Sequence, residues 1–389
     1  MAKQKVDVAL EQLLTAFDKL EDPRSHINRH HPLPAVVMIS IMGVLSGADG
    51  PTGIRSWADT KEKELVAVLE LKRGLPSRDV IRRVLCALKP EAFQECFNDC
   101  IATLIGVPQK GEKSHIAIDG KTLKGSRDKS RGLGPLHLVS AWASERGLTL
   151  AQVATDEKSN EITAIPALLK LVDLEGSVIT IDAMGTQTKI AEQIVDGKGD
   201  FVLALKKNQA KVHEAVIDFV DRHVSNDFQD VAHERLVEES PSSSHGRIES
   251  RTYIQFEVPA DFEGRDRWKG LKTFGLVVYR WTENDVEKMD IRYYLSSLAL
   301  NIALFSRCVR SHWGIENTCH WSLDVTYRED GLQSRHRRGT ENLAWIRRFT
   351  LSLLKQNPTK MSLAMKRRTC GWSWDFLLQV LGFSGLSVR

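Results

Sequence analysis

The 389-residue sequence predicts an α/β protein, in which a mixed sheet covered by helices follows an all-helical region and contains a β-rich insertion. Three observations predict this class. Apolar residues recur at helical spacing up to about residue 110. Short apolar runs then alternate with helical segments. A strand-rich stretch finally separates these runs from two long helical segments near the C-terminus.

The composition is that of an ordinary globular protein. Charged residues make up 27% of the chain and hydrophobic residues 42%, which excludes disordered and fibrous classes. The length favours two or three domains of roughly 100–200 residues each. Six cysteines form no C-x-x-C pair, which indicates a reducing cytoplasm. The most apolar stretch, 33–45, is shorter than the roughly 20 residues of a membrane span, so we expect a cytoplasmic protein without a membrane partner.

The charge is unevenly distributed along the chain. The whole sequence has a net charge of +4, but 306–368 holds 13 Lys and Arg against 5 Asp and Glu. Such a basic stretch indicates a polyanionic partner, nucleic acid first. A solvated helix face explains the charge equally well.

The N-terminal segment, 1–110, is predicted to be an all-helical domain. Pro23 ends its first helix, and 34–46 forms a buried helix. A turn at Gly74 separates two further helices, and Ser77 is predicted to cap the second. This pair resembles a DNA-reading helix-turn-helix in outline, but such pairs are also common packing units.

The segment 111–209 is predicted to form one mixed sheet, because three strands, a helix and a β–α–β unit follow one another. Its strands are expected at 115–119, 136–143, 148–154, 178–182 and 200–205, and its helices at 162–172 and 187–195.

The segment 210–300 is predicted to be a β-rich insertion. A helix at 210–223 is expected to lead into a polar loop at 238–247, with strands at 251–258, 274–281 and 290–298. The next segment, 301–368, is expected to contain helices at 301–323 and 340–356, and 369–389 to be a C-terminal tail.

Two carboxylates end apolar strands. Asp119 and Asp182 converge at one sheet edge if their strands are neighbours. Close carboxylates repel one another unless a cation lies between them, and Mg²⁺ ions held this way can activate a hydroxyl at a phosphodiester. Both residues could equally be turn formers at strand ends.

The loop after Asp119 is basic. A nucleotide-binding loop, G-x-x-x-x-G-K-[ST], would need Gly where the chain has His115, so this class of site is excluded. Five Lys and Arg at 121–131 instead predict a phosphate-facing loop beside the carboxylate.

Three polar residues share one face of the predicted helix 301–323. His312, Glu316 and His320 recur every four residues, so Glu316 could be a third metal ligand. Two alternatives are a solvated stripe and a zinc site helped by Cys308 or Cys319. The H-E-x-x-H motif of zinc proteases is absent.

The chain resembles the ISAs1-type insertion-sequence transposases, also called H-repeat-associated proteins, of the DDE class. The similarity covers nearly the whole chain, and its long ordered matches make it specific. The matching segments are 20–24 (LEDPR), 74–77 (GLPS), 115–125 (HIAIDGKTLKG), 157–162 (EKSNEI), 179–187 (ITIDAMGTQ), 201–209 (FVLALKKNQ), 245–249 (HGRIE) and 310–330 (RSHWGIENTCHWSLDVTYRED).

The resemblance implies an RNase H-like catalytic core, with its first part at 111–209 and its second at 301–368. It implies that Asp119, Asp182 and Glu316 form a catalytic triad that holds two Mg²⁺ or Mn²⁺ ions. The implied activity is cleavage of insertion-sequence ends and their transfer to target DNA, by phosphodiester hydrolysis and transesterification. The insertion is typical of the hairpin-forming group.

The implied partners are the terminal inverted repeats and target DNA, bound by a homodimer in the bacterial cytoplasm, at the nucleoid. In a related transposase group an Arg stands where this chain has His312, which is a weaker phosphate donor. The candidate phosphate contacts are Lys121, Lys206, Arg247, Arg310, His312, Arg335, Arg337 and Arg338. A surface-solubility role is the alternative for each.

Two other functions compete with a transposase. One is a non-catalytic, domesticated DNA-binding protein, against which the intact carboxylates weigh. The other is a stand-alone metal-dependent nuclease, which would hydrolyse DNA without strand transfer.

Two further expectations concern single residues. Trp268 and Trp281 are candidates to stack on an extruded base, although both could be core residues. Because Trp268 lies in a polar run, Trp268→Ala is expected to spare folding. Glu329 is expected in a surface loop.

Overall fold

The computed structural model describes residues 9–105, 113–155, 161–241, 248–283 and 286–382. Its strands are β1 (Ser114–Leu123), β2 (Leu136–Ala143), β3 (Leu148–Thr155), β4 (Ser177–Ile181), β5 (Asp200–Leu205), β6 (His233–Pro241), β7 (Ile248–Glu257), β8 (Thr273–Glu283) and β9 (Val286–Ser296).

The α-helices of the described residues fall into an N-terminal group, a core group and a C-terminal group. They are α1 (Ala9–Asp18), α2 (Leu33–Leu45), α3 (Pro51–Thr60), α4 (Glu62–Val68), α5 (Arg78–Ala87), α6 (Pro90–Glu95), α7 (Asn98–Ile105), α8 (Glu161–Leu169), α9 (Thr188–Asp196), α10 (Ala210–Val224), α11 (Ile302–Gly314), α12 (Trp321–Val325), α13 (Arg337–Gln356), α14 (Leu363–Trp372) and α15 (Trp374–Leu381). Within these residues, no helix is both long and apolar enough to cross a membrane.

The strands form a single nine-stranded mixed sheet in the order β3-β2-β1-β4-β5-β9-β8-β7-β6. β1, β4 and β5 run parallel, while β2 and β3 are antiparallel to their neighbours. Alternate residues of β1 face opposite sides: Ile116 and Ile118 pack with α8 and α9, and Ala117 packs with the cluster that includes α13. Burial on both faces explains the continuous apolar runs. The expected class, an RNase H-like mixed sheet with a β-rich insertion and an N-terminal helical region, is confirmed.

The insertion extends this sheet. β9 pairs antiparallel with β5, and β8, β7 and β6 follow outward. The prediction of a loop beginning at 238 was wrong, because β6 continues to Pro241. β6 is an edge strand rich in charge, and charged edges prevent pairing with other chains. Its polar sequence therefore resembles that of a loop.

The N-terminal helices share a core with the C-terminal ones. Phe17, Phe97 and Phe349 lie in one buried cluster with residues of α15. The predicted cap is confirmed, since the Ser77 hydroxyl accepts from the Val80 amide at 3.3 Å. The expected C-terminal tail contains α15, whose apolar face is buried. The division into five segments at 110, 209, 300 and 368 stays a prediction.

The predicted helix at 301–323 has an internal irregularity. α11 continues into a π-helical turn, Ile315–His320, and then into α12. Such a turn accommodates one extra residue and is frequent at functional sites. It changes which side chains of the helix face the sheet, and Glu316 is its second residue.

The basic C-terminal stretch is partly internal. Arg347, Arg348, Lys366 and Arg367 are buried, and each donates to backbone carbonyl groups. Glu329 is buried as well, so the expectation that it lies in a surface loop was wrong. The local charge of this stretch therefore overstates the charge available to a partner.

Candidate active site

The first two carboxylates leave neighbouring strands at the same level. β1 and β4 are parallel and hydrogen-bonded, and their register pairs Ile118 with Ile181. Asp119 directly follows Ile118, and Asp182 directly follows Ile181. The two strands are therefore neighbours, which is the condition under which the sequence predicted that the two carboxylates converge. Asp119 does not end its strand, however, because β1 continues to Leu123 in pairing with β2.

The loop after β4 holds the Asp182 side chain in place. Its Oδ1 accepts from the Met184 and Gly185 amides at 3.1 and 3.2 Å. The Thr186 hydroxyl donates to the Ala204 carbonyl at 2.6 Å and ties this loop to β5. A Cβ at Gly185 would lie 2.3 Å from Ile181, so only glycine fits there. Backbone donors thus fix this carboxylate as an acceptor.

Glu316 opens onto the same cavity. Its side chain is exposed and lines a pocket of about 330 Å³ together with Asp182, Lys206 and His312. Among the described residues no cation pairs with Glu316. The three other acidic residues that follow it each have a cation: Asp324 lies 2.6 Å from Lys121, Asp330 2.9 Å from Lys124 and Glu329 3.0 Å from Arg348. Glu316 alone of these four is free to take a metal ion.

Electrostatic repulsion concentrates on Asp119. Burial raises the pKa of its carboxyl to about 7, against a hydrogen bond from the Gly120 amide that lowers it. The nearby negative charges of Glu316, Asp182 and Glu161 raise this pKa further. Carboxylates this close repel one another, and a bound cation would relieve that repulsion.

The donor set fits a hard divalent ion. Asp119, Asp182 and Glu316 offer only oxygen atoms, which Mg²⁺ and Mn²⁺ prefer. In the described part of the chain, no three His, Cys, Asp or Glu side chains are already gathered at binding distance of one point.

A further carboxylate, that of Glu161, is buried beside Asp119. It begins α8, is 4% exposed, and its Oε1 is 2.5 Å from the His137 Nε2. A Cβ at Gly120 would lie 2.3 Å from this oxygen, so the Asp-Gly pair on β1 is needed for the close approach. Glu161 was not among the predicted site residues, although it lies in the matching segment 157–162.

The zinc alternative has no support from the placement of the cysteines. Cys308, on α11, packs in a cluster with Val178 of β4, whereas Cys319 packs in the core that contains the N-terminal helices. Burial raises the pKa of these thiols to about 12 and about 11, so both stay protonated. His320 lies instead near Asp119, with Nδ1 3.4 Å from Oδ2.

Four of the candidate phosphate contacts are exposed. Lys206 lines the Asp182–Glu316 pocket, and Arg310 lines an adjoining groove of about 550 Å³ with Arg251 and Trp313. The other two exposed candidates, at the start of α13, are Arg335 and Arg338.

The remaining candidates are placed differently. Lys121 is buried and paired with Asp324, which disfavours a direct phosphate contact. Arg337 donates to the Gly134 carbonyl at 2.8 Å. His312 is half-buried against Thr180, and Arg247 lies outside the described residues.

The expectation for Trp268 was wrong. It is 2% exposed and packs in the core cluster formed by the sheet, α8 and α9. Trp281 is half-buried and stacks on Tyr279, with ring centroids 4.9 Å apart. Its polar neighbours in the sequence made Trp268 look exposed. An irregular segment has no hydrophobic periodicity, so the sequence pattern does not indicate which of its residues are buried.

We expect Asp119→Asn to stabilise the metal-free protein at pH 8 but not at pH 4. The raised pKa means that the folded state binds more protons than the unfolded state between about pH 4 and 7, so stability falls as pH rises through this window. At pH 8 the variant should gain on the order of 4 kcal/mol of unfolding free energy. Urea unfolding of the wild type and the variant in EDTA, at pH 4 and pH 8, measures this difference in unfolding free energy. Asp324→Asn is the control, and an equal gain there would contradict the explanation.

Comparison with known proteins gives consistent matches. Residues 110–354 match the family model described as "Transposase DDE domain", and residues 14–101 match the one described as "DDE_Tnp_1-associated". The chain is 35% identical over 388 residues to the putative protein YbfL of Escherichia coli, covering 97% of this chain and 100% of that protein. The same values hold for the H repeat-associated putative transposase YhhI of Escherichia coli. A solved structure of the piggyBac transposase synaptic complex with hairpin DNA aligns with a TM-score of 0.40 and 12% identity, over 98% of this chain and 80% of that one.

Proposed function

Because the chain belongs to the family of transposases with a DDE domain, we propose that it cleaves the ends of its insertion sequence and joins them to target DNA. The family resemblance read from the sequence motifs is thereby confirmed. The observation that carries the proposal is the shared register of Asp119 and Asp182, together with Glu316, which lines the same pocket as Asp182 and has no cation partner among the described residues.

Asp119, Asp182 and Glu316 would hold the divalent ions, which we propose to be two Mg²⁺ or Mn²⁺. When bound, such ions polarise phosphate oxygens and lower the pKa of an attacking hydroxyl. Asp182 is oriented by the Met184 and Gly185 amides, so its geometry does not depend on the ion. Rigid support of this kind lets a site hold its ligands in productive positions.

DNA is the proposed partner, and a homodimer the proposed DNA-bound form. Lys206 lies at the rim of the pocket, where its ammonium can neutralise a phosphate next to the cleaved bond. Arg310 and Arg251 line the adjoining groove beside Tyr279 and Trp313, which gives a basic surface with aromatic faces. Such surfaces bind single strands and distorted ends.

The test is cleavage of DNA fragments that carry the ends flanking the gene. We expect cutting with Mg²⁺ or Mn²⁺, binding with little cutting in Ca²⁺, and no cutting after exhaustive chelation. A labelled target plasmid then distinguishes strand transfer by the 3′-hydroxyl from hydrolysis alone. Hydrolysis without transfer would indicate a nuclease, and binding without either reaction would indicate a domesticated DNA-binding protein.

A further inference from the structure

Three side chains form a hydrogen-bonded chain that ends in the catalytic pocket. The Thr180 hydroxyl lies 2.8 Å from the His115 Nε2 and 2.8 Å from the His312 Nδ1. The three residues come from β1, β4 and α11, so the hydrogen bonds connect the sheet to the helical segment that continues to Glu316. Its buried end is His115, which is 2% exposed.

A single hydroxyl proton restricts this arrangement. Thr180 can donate to one imidazole and must accept from the other. Burial lowers the pKa of His115 to about 3 and that of His312 to about 4, so both rings are neutral and each carries one proton. Only two proton arrangements satisfy both hydrogen bonds. In one the protons lie on His115 Nε2 and His312 Nε2, and in the other on the two Nδ1 atoms.

The surroundings of His115 distinguish the two arrangements. Its Nδ1 is buried and has no hydrogen-bond partner among the described residues. A buried N–H without an acceptor is rarer and costlier than an unused lone pair. The proton of His115 therefore belongs on Nε2, which donates to Thr180. The Thr180 hydroxyl must then donate to His312 Nδ1, and the His312 proton is left on Nε2.

His312 Nε2 has no protein partner in the described ranges, and the residue lines the pocket that contains Asp182 and Glu316. We infer that Thr180 and His115 are positioning residues that hold His312 as a neutral donor, whose Nε2–H binds a phosphate oxygen of the DNA strand in the catalytic pocket. This inference rests on the proposed function for the identity of the ligand. The opposite arrangement would present a lone pair there and make His312 a metal ligand.

The tautomer of His312 is the first test, and it requires neither DNA nor cleavage. Long-range ¹H–¹⁵N NMR correlations of the metal-free protein should identify Nε2 as protonated and Nδ1 as the acceptor, with His312→Gln used for assignment. Thr180→Val should remove this preference, because the hydroxyl no longer fixes Nδ1, and Thr180→Ser should restore it. A wild-type spectrum with a protonated Nδ1 overturns the inference, whether or not Thr180→Val folds.

Binding of random-sequence duplex DNA in EDTA is the second test. Thr180→Val should weaken binding by about 3- to 10-fold, and Thr180→Ser should return it to near the wild-type value. If the wild type, Thr180→Val and His312→Ala bind this DNA with equal affinity, His312 does not donate to a DNA phosphate. Failure of the proposed function is distinguishable, since absence of cleavage at the element ends would leave the tautomer unchanged.

Discussion

The Glu316→Gln variant is expected to lose strand cleavage by roughly a thousandfold or more, while it keeps DNA end binding and thermal stability near the wild-type values. A metal ion lowers the barrier of such reactions by several kcal/mol, and each 1.36 kcal/mol is a factor of ten in rate. Gln has the same shape as Glu but no negative charge. Because Glu316 has no cation partner among the described residues, its loss leaves no buried charge uncompensated.

The matched control is Asp324→Asn, made on the same helical segment. Asp324 is already paired with Lys121 at 2.6 Å, so it is not available as a metal ligand. Asp330 remains 3.6 Å from the same ammonium and compensates for the substitution. We expect Asp324→Asn to retain measurable cleavage. Cleavage by Glu316→Gln together with an inactive Asp324→Asn would show that the third ligand is wrongly assigned, although family membership would stand.

The Glu329→Gln variant is expected to lower the unfolding free energy by about 3–5 kcal/mol. Glu329, Arg347 and Arg348 are all buried, with Arg348 Nη1 3.0 Å and Arg347 Nη1 3.8 Å from Glu329 Oε1. Removal of the carboxylate charge leaves the Arg348 guanidinium in the core without its counter-charge, and it leaves Arg347 with Asp49 as the remaining nearby carboxylate. Burial alone disfavours such charges strongly, so the cost exceeds that of a surface pair.

Urea unfolding at neutral pH measures this loss. Asp324→Asn is the control: its carboxylate is partly exposed and Asp330 also lies 3.6 Å from the Lys121 ammonium, so we expect stability to change by less than about 1 kcal/mol. The double variant Glu329→Gln/Arg348→Met should recover part of the loss, because it removes the uncompensated charge of Arg348. A Glu329→Gln protein as stable as the wild type would contradict the buried ion pair.

The sequence by itself determined the elements with a strong period or a specific motif. The runs before Asp119 and Asp182 are mostly apolar, with the buried His115 and Thr180 as exceptions, since strands buried on both faces leave few polar positions. Their ends could be located to within a few residues for that reason. The spacing of the His312–Glu316–His320 face and the long motif matches predict Glu316 as the third carboxylate. The Ser77 cap was predictable because a cap is a local interaction.

The tertiary structure decided what depends on contacts between distant segments. β6 is charged because it is an edge strand, and no local pattern distinguishes a charged edge from a loop. Lys121 and Glu329 are charged residues that become buried only because Asp324, Arg347 and Arg348 arrive from elsewhere in the chain. Lys206 and Glu161 join the site through the sheet order.

The hydrogen-bonded chain from His115 through Thr180 to His312 illustrates the same limit. Its members are separated by 65 and 132 residues in sequence. Periodicity reports only whether a residue faces a core or solvent. The partner of a buried polar group is set by strand register and helix packing, so the sequence indicated which residues could act, and the fold decided which of them face one another.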